Sequence, residues 1–361
     1  MMYAGKAKFR ELLFNLQAPL VCFLSGFLLV RYATAWGIGT QPDSACYLSV
    51  AENLLSGKGL TDYTGHLSIH FPLGYSLILA FGSKLTWLDV RFGMPRFLGA
   101  LCFGALGVIT YILTKKASQD RQAAALAAFA VLGSSTILWV HSMALSEAPF
   151  LLLSAIGICF LLEFSCDGQK RWLRAAALTL GFSVLIRYVG IVWIPSGAIV
   201  IFIVRFYSGS KVRLNAIVNY LLLSLIPWTI WSVFTLTATG TMTDRKLAFH
   251  PINIQVLKAG LAEMGGWLWH TRTPMLSLVW VIIFSIALIY CYREFSQDRP
   301  KPEGLQHSKY FPSLLLILLV FSISYFLFLI FSMTFIDRAT PLDGRTLSIV
   351  SWMWLIVLVL Q

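Results

Sequence analysis

Charged side chains are scarce in this sequence. They make up 12% of its 361 residues, against about 25% in an ordinary soluble domain. Hydrophobic residues account for 58%, and the mean hydropathy is +0.75. So little charge on so much apolar surface excludes disorder and a soluble globular core. Alternating strand-like patterns are missing too, which excludes a β-barrel. What is present is a succession of apolar runs, many of them about 18 residues or longer, the length a helix needs to cross the hydrocarbon layer. The sequence predicts an all-α polytopic membrane protein.

Acidic residues are the scarcer charge: 16, against 28 Lys and Arg, for a net charge of +12. The basic residues form no stripe interleaved with aromatics on a soluble segment, so nucleic acid is excluded as a partner. Cysteine is limited to six. Cys22, Cys102, Cys159 and Cys291 sit in or beside apolar runs and Cys166 in a basic loop, which leaves Cys46 alone on the other side. This excludes an intrachain disulfide outside, and no Cys/His spacing matches a zinc site.

Five basic clusters hold more than half of the Lys and Arg: Lys6/Lys8/Arg10, Lys115/Lys116/Arg121, Lys170/Arg171/Arg174, Arg205/Lys211/Arg213 and Arg293/Arg299/Lys301/Lys309. If all five face the cytoplasm, an even number of spans separates each neighbouring pair. Runs 123–140 and 149–164, then 214–238 and 274–292, satisfy this directly. The stretch 175–204 becomes two short spans meeting near Arg187. Between the first two clusters lie three runs, 17–36, 71–88 and 97–114. The second opens with Phe71-Pro72-Leu73-Gly74 and is broken by Gly82 and Lys84, so it reads as an interfacial helix on the outer face. Runs 311–332 and 346–360 complete about ten spans, with the N-terminus cytoplasmic.

The first run also carries signal-peptide features, with Ala33-Thr34-Ala35 as a cleavage site that Arg31 disfavours. The end at Gln361, without flanking charge, reads as that of a fragment or a minimal module. Residues 1–361 form a single membrane-embedded module with two long external segments, 37–96 and 239–273. Ile252, Val256, Leu257, Leu261 and Met264 predict an amphipathic helix in the second, with Trp267 and Trp269 as interfacial anchors. Asp43, Glu52, Asp62, Asp89, Glu147, Asp244, Glu263, Asp337 and Asp343 all fall in external segments, so any chemistry belongs to the outer face.

Within the first segment, Tyr47, Val50, Ala51 and Leu54 recur at helical spacing opposite Ser49, Glu52, Asn53 and Ser56, and Gly57 is a natural stop. Asp43 stands at the start of this amphipathic surface helix, on the face of Tyr47. A helix N-terminus favours the ionised carboxylate, which suits a general base at headgroup depth. The same position suits a plain helix cap, and the residues leave both readings open.

The pattern Asp43, Tyr47, Ala51, Leu54 and Gly57 is followed by Phe71-Pro72-Leu73-Gly74-Tyr75, by Arg96-Phe97-Leu98-Gly99-Ala100, by Glu147 and by Arg187-Tyr188-Val189-Gly190. In order and spacing it resembles the GT-C glycosyltransferases. Its nearest patterns are the protein O-mannosyltransferases of glycosyltransferase family 39 and the aminoarabinose transferases of lipid A. The resemblance covers roughly residues 15–200, with a weaker echo at 333–350.

The resemblance implies a transferase of the cell envelope, in an inner or plasma membrane. It moves a sugar from a polyprenyl-phosphate donor to a lipid, glycan or protein acceptor at the outer face, with inversion at the anomeric carbon. It implies Asp43 as the base and Glu147 as a second acidic residue that orients acceptor or sugar. A solvated cap is the alternative for Glu147. Tyr47 and His70 become candidate substrate contacts.

A lipid-phosphate donor needs cations at the outer interface. Arg187, Arg345, Arg96 and Arg338 are the candidates, with Lys84 behind them, because a guanidinium fork matches phosphate oxygens better than an ammonium. Arg187 interrupts an apolar stretch, where an ionisable residue is a functional candidate by default; snorkelling to the headgroups is its alternative, and for Arg96 it is the preferred reading. An Asp–Arg pair that only ties the 337–345 loop is the alternative for Arg345. No acidic pair flanks Asp43, so catalysis without a metal or other cofactor is expected. A transporter or lipid flippase would show interrupted helices in two related halves, and Arg187 has no counterpart. A non-catalytic envelope partner is the third reading.

Overall fold

The computed structural model describes residues 2–207, 214–245, 247–267, 277–296, 309–338 and 340–361. Lys211, Arg213, Arg299, Lys301, Trp269 and most of the loop 296–308 lie outside the described residues. The regular secondary structure of the described residues is helical. The elements are α1 (Met2–Ala33), α2 (Pro42–Leu55), α3 (Gly74–Thr86), α4 (Gly93–Ser118), α5 (Arg121–Gly133), α6 (Ser135–His141), α7 (Glu147–Asp167), α8 (Lys170–Ile186) and α9 (Trp193–Tyr207). They continue with α10 (Leu214–Thr239), α11 (Ile254–Gly265), α12 (Ser277–Ser296), α13 (Tyr310–Phe335) and α14 (Gly344–Leu360). A 3₁₀ turn, Tyr188–Val192, joins α8 to α9. Among the described residues no strand occurs beyond two isolated bridges.

Among the described residues seven helices are long and apolar enough to cross a bilayer, and α5 with α6, bent by 62°, makes an eighth if the pair is taken as one broken span. The ten expected from charge parity are reached by adding α8 and α14, each 17 residues long. These are about 26 Å of helix, close to the hydrocarbon thickness. The chain is an integral membrane protein. At 13 residues, α3 is too short to span, and it packs with α2 on the end of α4 instead, through Tyr75, Leu79, Met94 and Leu98. The helix expected around 252–264 is α11.

Small residues set the closest approaches. A Cβ on Gly26 would lie 2.9 Å from Gly104 Cα, so α1 and α4 meet backbone to backbone. A Cβ on Gly74 would lie 2.4 Å from the Leu185 carbonyl oxygen, so glycine there lets the start of α3 abut the end of α8. The core behind this junction is aromatic. Trp193 stacks on Phe321 and Tyr325 at 4.9 and 5.6 Å and donates its indole N–H to Ser154 Oγ at 2.9 Å. That leaves no buried indole donor at the hub.

Candidate active site

Four charged side chains expected from the sequence converge, and helix ends place each of them. Gln41 caps α2, its N–H donating to Ser44 Oγ at 2.9 Å, and Pro42 occupies the first turn, where its missing N–H costs nothing. Asp43 therefore sits inside the first turn, not at the cap. This corrects the capping alternative. Glu147 opens α7 directly after Ser146. Both carboxylates stand at positive helix ends. Asp343 caps α14 by accepting from the Thr346 N–H at 3.0 Å, which sets Arg345 in that helix's first turn. Arg187 is extended (φ −146°, ψ 133°) where α8 stops, so its side chain leaves the helix axis at the break.

These four form one ion-pair network. Arg345 donates from Nε to Glu147 and from Nη2 to Asp43, and Arg187 Nη1 forms an ion pair with the same Glu147 oxygen. Glu147 is 2% exposed, and its second oxygen, Oε2, has no hydrogen-bond partner. The reading of Glu147 as a solvated cap is corrected: it is buried between two guanidiniums. Arg345 is likewise no intraloop tie, since its partners come from α2 and α7. Arg187 also donates to Ser146 Oγ at 3.2 Å, and the same hydroxyl meets Tyr47 OH at 3.0 Å. Burial pushes the Tyr47 phenol well up, so it stays protonated as a hydrogen-bonding group. Burial likewise pushes the Cys46 thiol up.

The network floors a cavity of about 650 Å³ lined by Asp43, Tyr47, His70, Arg187 and Arg345. Its other walls are Phe71, Tyr188, Trp228, Tyr325, Phe328 and Leu329, with Thr243, Arg245, Leu247 and Asp337 on the far side. His70 Nδ1 lies 2.7 Å from Asp244 Oδ2, joining the first long external segment to the second. Arg245 faces Asp337 at 3.9 Å, and its buried Nε has no partner. Tyr325 donates to the Thr346 carbonyl at 2.8 Å, bracing the helix turn that holds Arg345.

Three expected residues are not brought to the cavity. Arg96 donates to the Arg31 carbonyl at 2.8 Å and to Thr34 Oγ1 at 3.0 Å, so it ties α4 to the end of α1. Lys84 is exposed in the last turn of α3, and Arg338 is exposed beyond α13; neither lines the cavity. Sequence reasoning missed Arg245, Asp337, Ser146, Tyr188, Trp228 and Tyr325. Arg245 did carry a signal, a cation in a segment that charge parity assigns to the outer side, against the positive-inside trend, but Arg91 and Lys258 carry the same one. Among the described residues no three of His, Cys, Asp and Glu come together as a metal site.

The bundle, with two surface helices over an aromatic and cationic cavity, matches solved structures. Crystal structures of ArnT from Cupriavidus metallidurans, one bound to undecaprenyl phosphate and one in the apo state, superpose with TM-scores of 0.61 and 0.60. The fold is ArnT-like. Sequence identity is 14% and 15% over 94% and 98% of this chain, which spans 59% of the length of each ArnT chain. Residues 80–241 match the family model of dolichyl-phosphate-mannose-protein mannosyltransferases. No curated protein sequence matches the chain. The matched stretch includes Glu147 and Arg187 and leaves Asp43, Arg245 and Arg345 outside it. The GT-C resemblance seen in the sequence motifs thus agrees with both a family model and a fold.

Proposed function

We propose that this protein transfers a sugar from a polyprenyl-phosphate donor to an acceptor hydroxyl at the outer face of the membrane. One observation carries the reading. Asp43 and three arginines, Arg187, Arg245 and Arg345, meet in one cavity whose other walls are largely aromatic and aliphatic, with His70, Asp337 and several hydroxyl side chains among them. Guanidiniums suit a phosphate, aromatic faces suit a sugar ring, and Val189, Ile191, Leu247, Phe328 and Leu329 suit an isoprenoid chain. The ArnT structure bound to undecaprenyl phosphate and the mannosyltransferase family model support the same donor class.

In this reading Asp43 takes the acceptor's hydroxyl proton. The oxygen attacks the anomeric carbon, the bond to the phosphate oxygen breaks, and the configuration inverts. Glu147 holds Arg187 and Arg345 in place for the departing phosphate, and Tyr47 and His70 border the sugar. The arginines, not a divalent ion, stabilise the developing charge.

The test is transfer in proteoliposomes from a panel of radiolabelled polyprenyl-phosphate sugars to a native lipid and envelope-protein extract, with and without chelator. Wild type transfers label in both conditions. Asp43→Asn, expressed at wild-type level, loses about 10²–10⁴-fold, the usual worth of a general base. Transfer from no donor refutes the enzyme reading, and full activity in Asp43→Asn removes the base from Asp43.

A further inference from the structure

One guanidinium serves both carboxylates of the site. Arg345 reaches Glu147 Oε1 with Nε and Asp43 Oδ2 with Nη2. Arg187 is tied differently, to Glu147 and Ser146, neighbours at the start of α7. Its partners belong to one buried helix end. Arg345 instead spans from buried Glu147 to Asp43, whose side chain is 25% exposed and lines the cavity. Two carboxylates and two guanidiniums close the resting site electrically, and the carboxylate facing the cavity is already occupied.

Resting on the donor reading above, we infer that the Asp43–Arg345 ion pair is a lock that the donor phosphate opens. The phosphate takes the Nη2 edge of Arg345 from Asp43, while Nε stays on Glu147 and keeps the guanidinium in place. Asp43 is thereby released to accept a proton. The two events are coupled, so the base is free only when a donor is seated, and an acceptor hydroxyl or water entering alone is not activated.

Charge follows the same route in the chemical step. Asp43 becomes neutral as it takes the hydroxyl proton. The acceptor oxygen bonds to the anomeric carbon, and the bond from that carbon to the phosphate oxygen breaks with its electron pair on the phosphate. The phosphate turns from a diester monoanion into a monoester dianion. Arg345 already holds the phosphate when the proton moves, and that phosphate gains negative charge while Asp43 loses it, so the attraction of Arg345 for the leaving group strengthens as the reaction proceeds. Arg187, anchored to α7 throughout, does not exchange.

Equilibrium binding tests the exchange without turnover. Undecaprenyl phosphate is titrated calorimetrically, in detergent, into wild type, Asp43→Asn, Arg345→Gln and the double variant, each checked for monodisperse elution. Asp43→Asn removes the competitor for Arg345 and binds about tenfold tighter than wild type, the scale of one hydrogen bond to a charged group. Arg345→Gln binds more weakly, and in its background Asp43→Asn brings no tightening.

Equal tightening in both backgrounds means a through-space charge effect and overturns the exchange. So does wild-type affinity in Asp43→Asn. If Arg345→Gln does not fold, Arg345→Lys replaces it, keeping the charge but losing the fork; there the tightening falls to a few-fold, and a full tenfold overturns the proposal. Absence of binding by wild type and all variants refutes the donor reading itself, a result distinct from binding without coupling.

Discussion

Replacing Glu147 by glutamine tests the network as a structural unit. Its Oε1 pairs with both Arg345 and Arg187, whose side chains are 18% and 17% exposed, while Glu147 itself is 2% exposed. Glu147→Gln keeps the shape and removes the charge, leaving two guanidiniums against Asp43 alone. Removing one partner of a buried pair costs about 3–5 kcal/mol because a charge is left uncompensated. Both arginines keep some contact with solvent, so the lower end applies, about 3 kcal/mol. At roughly 1.3 °C per kcal/mol for a chain of this size, the apparent Tm in detergent falls by about 4 °C. The decisive measurement is the double-mutant cycle with Arg187→Gln. Each single variant leaves an unpaired charge and the pair leaves fewer, so the double variant is more stable than the summed costs by at least about 1 kcal/mol. Additive costs, or an unchanged Tm for Glu147→Gln, would refute the network as the tie between α7, α8 and α14.

Two further substitutions separate packing from chemistry. Gly74→Ala places a Cβ 2.4 Å from the Leu185 carbonyl, a backbone atom that cannot rotate away; the expected loss is about 1–3 kcal/mol, read as a lowered Tm, and a neutral result would mean that α3 and α8 do not abut. Arg96→Ala removes the two bonds to the end of α1, costs about 1 kcal/mol and leaves undecaprenyl phosphate affinity unchanged; a tenfold affinity loss would return Arg96 to the donor site.

Much of the architecture was legible because membrane insertion is governed by local quantities. Apolar runs gave the spans, and the sign of the charge between them gave parity, including the helix break at Arg187 and the non-spanning α3. Arg187 was legible as a charge interrupting an apolar stretch, while Asp43, Glu147 and Arg345 were singled out by the family resemblance, the residues alone leaving Asp43 open between cap and base. Arg96 entered the phosphate candidates beside its snorkelling reading, and the structure ties it to the end of α1. A cation at the outer interface looks alike whether it faces a cavity or, as here, donates to the carbonyl of Arg31 on the adjoining helix.

By itself the sequence determined the helical class, roughly the number of spans, the membrane-embedded character and the four charges that form the network. Tertiary structure decided which of them meet. Asp43 and Arg345 are separated by 302 positions, and nothing in the spacing of either says that α2 and α14 end side by side. Arg245 and Asp337 entered the cavity wall only through the folding of two external loops. Hydropathy and charge sign act along the chain and can be read along it. Ion pairing depends on distances of a few ångströms, which only the packing of the helix ends supplies.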